Sequence, residues 1–114
     1  MKEIKAYVRP GLLETIIGRL EEAGAKDITV IRVDALGALA DWEKYRSHFW
    51  QKYAEKYSKI AKLEIVCHDG EVEGFVKIIQ ESGRMGESGD GRVFVANIDK
   101  AVNIRTGAEG DEAL

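Results

Sequence analysis

An α+β fold, with two helices covering one face of an antiparallel sheet, follows from three features of the sequence. Apolar and polar residues alternate near the N-terminus, helical spacing takes over after Pro10-Gly11, and the same strand, helix, strand order returns in the second half of the chain. That order, β-α-β twice over, is the ferredoxin-like or split βαβ arrangement, and the internal pseudo-symmetry supports it. At 114 residues the chain has room for one core, so a single domain over 1–114 is expected.

In the first unit, Ile4, Ala6 and Val8 alternate with Lys5, Tyr7 and Arg9, the period of two of a strand with one buried face. Pro10-Gly11 ends it. Leu12, Leu13, Ile16, Ile17, Leu20 and Ala23 then recur at helical spacing, with Glu14, Arg19 and Glu21 on the other side and Gly24 as the C-terminal cap. The β-branched run Ile28–Val33 predicts a second strand. The second unit has a strand near Lys62–His68, a turn at Asp69-Gly70, a helix built on Val72, Phe75, Val76 and Ile79, and a strand at Arg92–Ala96. A further short strand is expected at Val102–Arg105, followed by a polar, acidic tail over 107–114 with no buried pattern. Two long connections, about 35–59 and about 82–92, interrupt the plan, and loops of that length in a small domain point to function.

Composition narrows the classes. With 45% hydrophobic and 32% charged residues the chain is of ordinary globular type, and a net charge of −3 argues against a general nucleic-acid binder, which needs a basic face for phosphates. The single cysteine, Cys67, cannot form an internal disulfide, and no apolar run near the N-terminus suits a signal peptide or membrane span. A cytoplasmic setting is expected.

The second connection, Ser82-Gly-Arg-Met-Gly-Glu-Ser-Gly-Asp-Gly-Arg92, carries four glycines and two arginines. Glycines let successive backbone N–H groups converge on an anion, and arginine offers a forked donor that matches phosphate oxygens. A phosphate cradle is one reading; a surface loop whose glycines only make turns is the other. Arg105 and Thr106, at the end of the expected last strand, would add a cation, or form an ordinary surface ion pair. The first connection holds Trp42, Tyr45, Phe49, Trp50, Tyr53 and Tyr57, mostly three or four apart, among Lys44, Arg46, Lys52, Lys56 and Lys59. A helix there would gather an aromatic face able to dock on a partner, lie at a membrane surface, stack on bases, or pack within this protein or a neighbouring subunit. His48 and Cys67-His68 raise metal binding, but adjacent strand residues point to opposite faces. No nucleophile–base pair has recognisable spacing; Asp90 and Glu87 are the carboxylates nearest the loop that a nucleotide hydrolase would need.

Gly89-Asp-Gly-Arg-Val-Phe-Val95 and Val102-Asn-Ile-Arg-Thr-Gly107, with the spacing between them, closely resemble the PII signal-transduction family, as do Met1–Pro10, Ile28–Val30 and Lys62–Val66. The resemblance covers nearly all of the chain except about 35–59, so the long loop is atypical. It implies a cytoplasmic homotrimer with ATP, ADP or AMP as effector ligand at the subunit interfaces, no catalytic cofactor and no enzymatic activity. It also implies a long flexible loop that signals to a membrane transporter or metabolic enzyme in nitrogen or carbon metabolism, with no nucleic acid involved. Carried across, Ser82, Gly83, Arg84, Gly89, Gly91 and Arg92 form the phosphate loop, and Arg105 adds a cation. Thr29 and Val66 lie near the base, and Gly37 flanks the phosphates. Trp42, Tyr45, Phe49, Trp50 and Tyr53 would serve the partner-binding loop.

Departures from the family pattern matter as well. Leu39 and Ala38 stand where relatives that sense 2-oxoglutarate carry glutamine and arginine, and Lys59 is displaced by one residue from the loop-base lysine, which counts against that sensing. The phosphate loop is longer around Met85–Ser88, and Asn103 replaces an arginine of many relatives, so ADP or AMP should compete well with ATP. The second reading is a trimeric metal-ion-binding protein resembling the cation-tolerance proteins of the same fold; it predicts ligands from Cys67, His68 or His48 and leaves the Gly-Asp-Gly-Arg loop unexplained.

Overall fold

The alternation of Ile4, Ala6 and Val8 sends three fully or nearly fully buried side chains to one face of a strand, β1 (Lys2–Val8), and that strand becomes an interior member of the sheet. The computed structural model describes residues 1–36 and 58–114. Its other strands are β2 (Ile28–Ala35), β3 (Ser58–Cys67) and β4 (Arg92–Asn97), and its helices are α1 (Leu13–Glu22) and α2 (Val72–Gly83). The sheet order is β2-β3-β1-β4 with every neighbour antiparallel, the ferredoxin-like arrangement. β1 pairs with β3 from Lys2↔Cys67 to Val8↔Ala61, and with β4 from Lys2↔Asn97 to Tyr7↔Arg92.

Both helices lie on the same face. α1 buries Leu13, Ile16 and Leu20, and α2 buries Val72, Phe75 and Ile79, against Ile4, Ala6, Val8, Leu63 and Ile65 of the sheet. Burying a side chain of this size contributes about 1.5–3 kcal/mol, so among the described residues this cluster is the main term set against chain entropy. Gly24 ends α1 as expected: its φ is +97°, its N–H donates to the Glu21 carbonyl at 3.0 Å, and the Ala25 N–H reaches back to Leu20 at 2.9 Å. These two bonds form a Schellman motif, and Ala25 and Leu20 meet in the core beneath it. Cys67 closes β3 inside the same cluster, 3% exposed, where burial pushes its thiol pKa up.

Several boundaries differ from the sequence reading. β2 and β3 stay paired out to Ala35↔Ser58, so Ala35 and Lys59 belong to strands and the first connection is confined to 36–57. α2 runs through Gly83, so Ser82 and Gly83 are its last residues, ahead of the glycine-rich loop. The expected strand at Val102–Arg105 is reduced to one bridge, Val102↔Glu109. The cause is the Asn103 side chain, whose Oδ1 accepts the N–H groups of Arg105 and Thr106 at 3.0 and 3.1 Å and bends the chain into a turn. The Gly107 N–H closes it on the Asn103 carbonyl at 2.8 Å. The tail is ordered as well. The Gly110 N–H donates to Ala101 at 3.0 Å, a short 3-10 turn covers Gly110–Ala113, and half-buried Leu114 lines a small hollow beside Cys67 and Phe75.

The entry into β4 imposes the tightest constraint on residue type. Gly91 has φ +97°, and a Cβ there would lie 1.7 Å from the Tyr7 carbonyl oxygen, so the loop can join the sheet only with a bare Cα. Gly24 has the same φ with nothing within 4 Å. Gly24→Ala should therefore cost only the left-handed backbone strain, about 1–2 kcal/mol. Gly91→Ala adds a backbone clash and should cost about 3 kcal/mol or more. Urea denaturation of the two variants checks the difference; equal costs would mean that the contact with Tyr7 relaxes freely.

Candidate functional site

A cleft of about 390 Å³ opens where the C-terminal end of α2 meets the end of β1 and the start of β4. Val8, Val76, Ile79 and Val93 supply apolar lining, and Gln80, Arg84, Asp90 and Arg92 supply polar groups. The volume is in the range of small-molecule sites. Helix spacing explains part of it: Val76, Ile79, Gln80 and Gly83 share one side of the last turns of α2. Gly83 is buried there, its missing side chain leaving ordinary contact distances to Ile16 and Val8.

Beside the cleft, the loop that follows α2 is organised around a carboxylate. Asp90 Oδ2 accepts the successive N–H groups of Met85, Gly86 and Glu87 at 3.1, 2.8 and 3.3 Å. Asp90 Oδ1 accepts Arg9 Nε at 3.2 Å, and Arg9 Nη2 donates to the Ser88 carbonyl at 2.6 Å. Burial acts to raise the Asp90 pKa, but the donors from Gly86, Met85, Arg9 and Glu87 together outweigh it and hold the carboxyl below its ordinary value. The expected convergence of N–H groups on an anion is present, and the anion is the chain's own. Both oxygens of Asp90 are engaged in this way, so its geometry is that of a loop-holding acceptor, unlike the open carboxylate a hydrolase would direct at a metal or water. Arg84 and Arg92 are the cationic residues among those lining the cleft; Arg92 pairs with Tyr7, so strand alternation turns its side chain to the sheet face away from the helices, at the rim of the cleft.

Of the residues singled out in the sequence, Gly83, Arg84, Gly91 and Arg92 line this cleft, and Gly89 lies in the same loop. Ser82 is within α2, its hydroxyl accepting Arg19 Nη1 from α1 at 2.8 Å. Thr29 and Val66 sit elsewhere: Thr29 pairs with Glu64 and Val66 with Glu3, which strand alternation puts on the sheet face away from the helices. Arg105 lies in the Asn103–Gly107 turn and is not among the residues that line the cleft. Gly37, Trp42, Tyr45, Phe49, Trp50 and Tyr53 lie outside the described residues, as does His48. Among the described residues no three His, Cys, Asp or Glu side chains are grouped to hold a metal ion, and no helix is long and apolar enough to cross a membrane.

Arg9, Tyr7 and Gln80 were not singled out by the sequence pattern. Arg9 reads there as the polar end of a strand, and the partner that gives it a role is 81 positions away. A charged residue beside a strand end is too common to signal such a contact.

Comparison with known proteins identifies the family of the chain. The family model described as "Nitrogen regulatory protein P-II" matches residues 1–108. The nitrogen regulatory protein P-II 2 of Methanothermobacter thermautotrophicus is 38% identical over 115 aligned positions, spanning all of this chain and 97% of its own. The nitrogen regulatory proteins P-II of Mesorhizobium japonicum and Azospirillum brasilense are 36% and 34% identical, with both chains covered in full. Matched along nearly its whole length by the family model and end to end by these relatives, the chain belongs to the P-II family of nitrogen regulatory proteins.

Proposed function

We propose that this P-II family member is a cytoplasmic signalling protein, not an enzyme, that binds an adenine nucleotide and relays its occupancy to a protein partner through the segment between β2 and β3. The observation that carries the reading is the gathering of Gly83, Arg84, Gly91 and Arg92 around one cleft of about 390 Å³. Two arginines at the margin of an apolar hollow suit a ligand with an anionic end and a flat apolar end. Charge-assisted bonds from Arg84 and Arg92 to phosphate oxygens would hold the anionic end, and each added phosphate would strengthen them.

Thr29, Val66 and Arg105 would take part only if another copy of the chain brought them to the cleft, as a homotrimer with nucleotide at its subunit interfaces would do. The sheet offers a surface for such assembly. Its face away from the helices carries Ile31, Val66 and Phe94, 37%, 36% and 50% exposed, with Tyr7 stacked edge-on to Phe94 at 6.1 Å. Covering these residues with a second copy would bury them as the helices bury the other face. The partner, a transporter or metabolic enzyme, would be read by Trp42, Tyr45, Phe49, Trp50 and Tyr53. Because linkage is reciprocal, a nucleotide that changes partner affinity must itself be bound more or less tightly in the partner's presence.

Titration calorimetry with ATP, ADP and AMP tests the reading. The wild-type protein should bind one nucleotide per subunit at micromolar concentration, and Arg92→Ala should weaken ATP by about tenfold or more, the loss of one charge-assisted contact of about 1.5–3 kcal/mol. No heat from any nucleotide with the wild type would overturn it. Sedimentation equilibrium should give three times the chain mass; a monomer would remove the basis for an intersubunit site.

A further inference from the structure

We propose that Asp90, together with Arg9, is an internal anion that closes the glycine-rich loop before any ligand arrives, and is thereby the positioning residue for Gly91 and Arg92 at the cleft. The proposal rests on the nucleotide reading for its effect on affinity, and on this chain's own geometry for the lock itself.

Three successive N–H groups, of Met85, Gly86 and Glu87, meet one oxygen of Asp90 within 3.3 Å. A concave array of this kind normally takes up an external anion, which then orders the loop. Here the array is satisfied from within the chain. The second oxygen is held by Arg9, which also takes the Ser88 carbonyl, so residues 85–88 are all tied to one carboxylate and one guanidinium. Arg9 follows β1, paired on both sides, and it anchors the loop to the part of the sheet least able to move. Asp90 is also flanked by Gly91, whose Cα rests on the Tyr7 carbonyl.

Two consequences follow for binding. A ligand meeting a loop already folded does not lose affinity to ordering it. A phosphate is also kept off the N–H array, since a carboxylate fills it, and is directed to Arg84 and Arg92. Asp90 acts through the loop it holds, and contact with the ligand is not required.

The test uses the full chain as wild type, Asp90→Ala and Asp90→Asn. Amide hydrogen exchange without nucleotide comes first. Asp90→Ala should speed exchange at 85–87 at least tenfold while the amides of β1 and α1 keep their protection, which a general loss of stability would not do. Calorimetry should then show ATP bound about tenfold or more weakly, with partial recovery in Asp90→Asn, whose amide oxygen can still accept N–H groups. Unchanged exchange at 85–87 would overturn the lock. Equal or tighter ATP binding by Asp90→Ala would overturn the positioning role, tighter binding marking Asp90 as a competitor of the phosphate. If Asp90→Ala does not fold, the same two comparisons on Asp90→Asn decide. If the wild type binds no nucleotide, the nucleotide reading fails by itself and exchange alone judges the lock.

Discussion

The end of β1 is where the rest of this molecule is tied together. Tyr7 presents the carbonyl on which Gly91 lies, Val8 lines the cleft and packs in the core, and Arg9 holds Asp90. Three consecutive residues therefore serve the sheet, the hydrophobic cluster and the glycine-rich loop at once. β1 can do this because it is interior: β3 and β4 fix its backbone on both edges, so whatever its last residues hold is held rigidly. The cleft inherits its shape from that strand and from the last turns of α2.

How much of this the sequence disclosed follows from the range of the interactions involved. Strand alternation at Ile4, Ala6 and Val8, helical spacing through Ile16 and Leu20, and the cap at Gly24 are local patterns, and each was legible residue by residue. The Gly-Asp-Gly run was legible as a special loop, because so many glycines between a helix and a strand need a reason. The Asn103 turn was not, since Val102–Arg105 has the apolar content of a strand and only the capture of two N–H groups by one side chain bends it. The ordered tail escaped for a related reason: Leu114 finds cover from residues far away in the chain, and nothing around it alternates. The start of β3 at Ser58 is set by its pairing with Ala35, again a distant partner.

At the site, one reading of the sequence assigned the N–H groups of the glycine-rich loop to an external phosphate. The structure fills them with Asp90. Glycine content predicts that amides can converge; it does not say on what, and a neighbouring aspartate is the nearest anion available. The separation of Thr29, Val66 and Arg105 from the cleft has a similarly plain origin in strand parity and in the turn at Asn103.

Cys67 has a practical consequence. It is the single cysteine of the chain, buried at the end of β3 in the main core with its thiol disfavoured from ionising. The thiolate is the form that reacts with an alkylating reagent, so the folded protein shields this atom both sterically and chemically. Labelling at Cys67 therefore proceeds through openings of the β3 end of the core, and its rate is a built-in gauge of them that needs no added probe. Followed in the presence of small molecules, that rate would rank them by how firmly they keep the fold shut, whatever their identity.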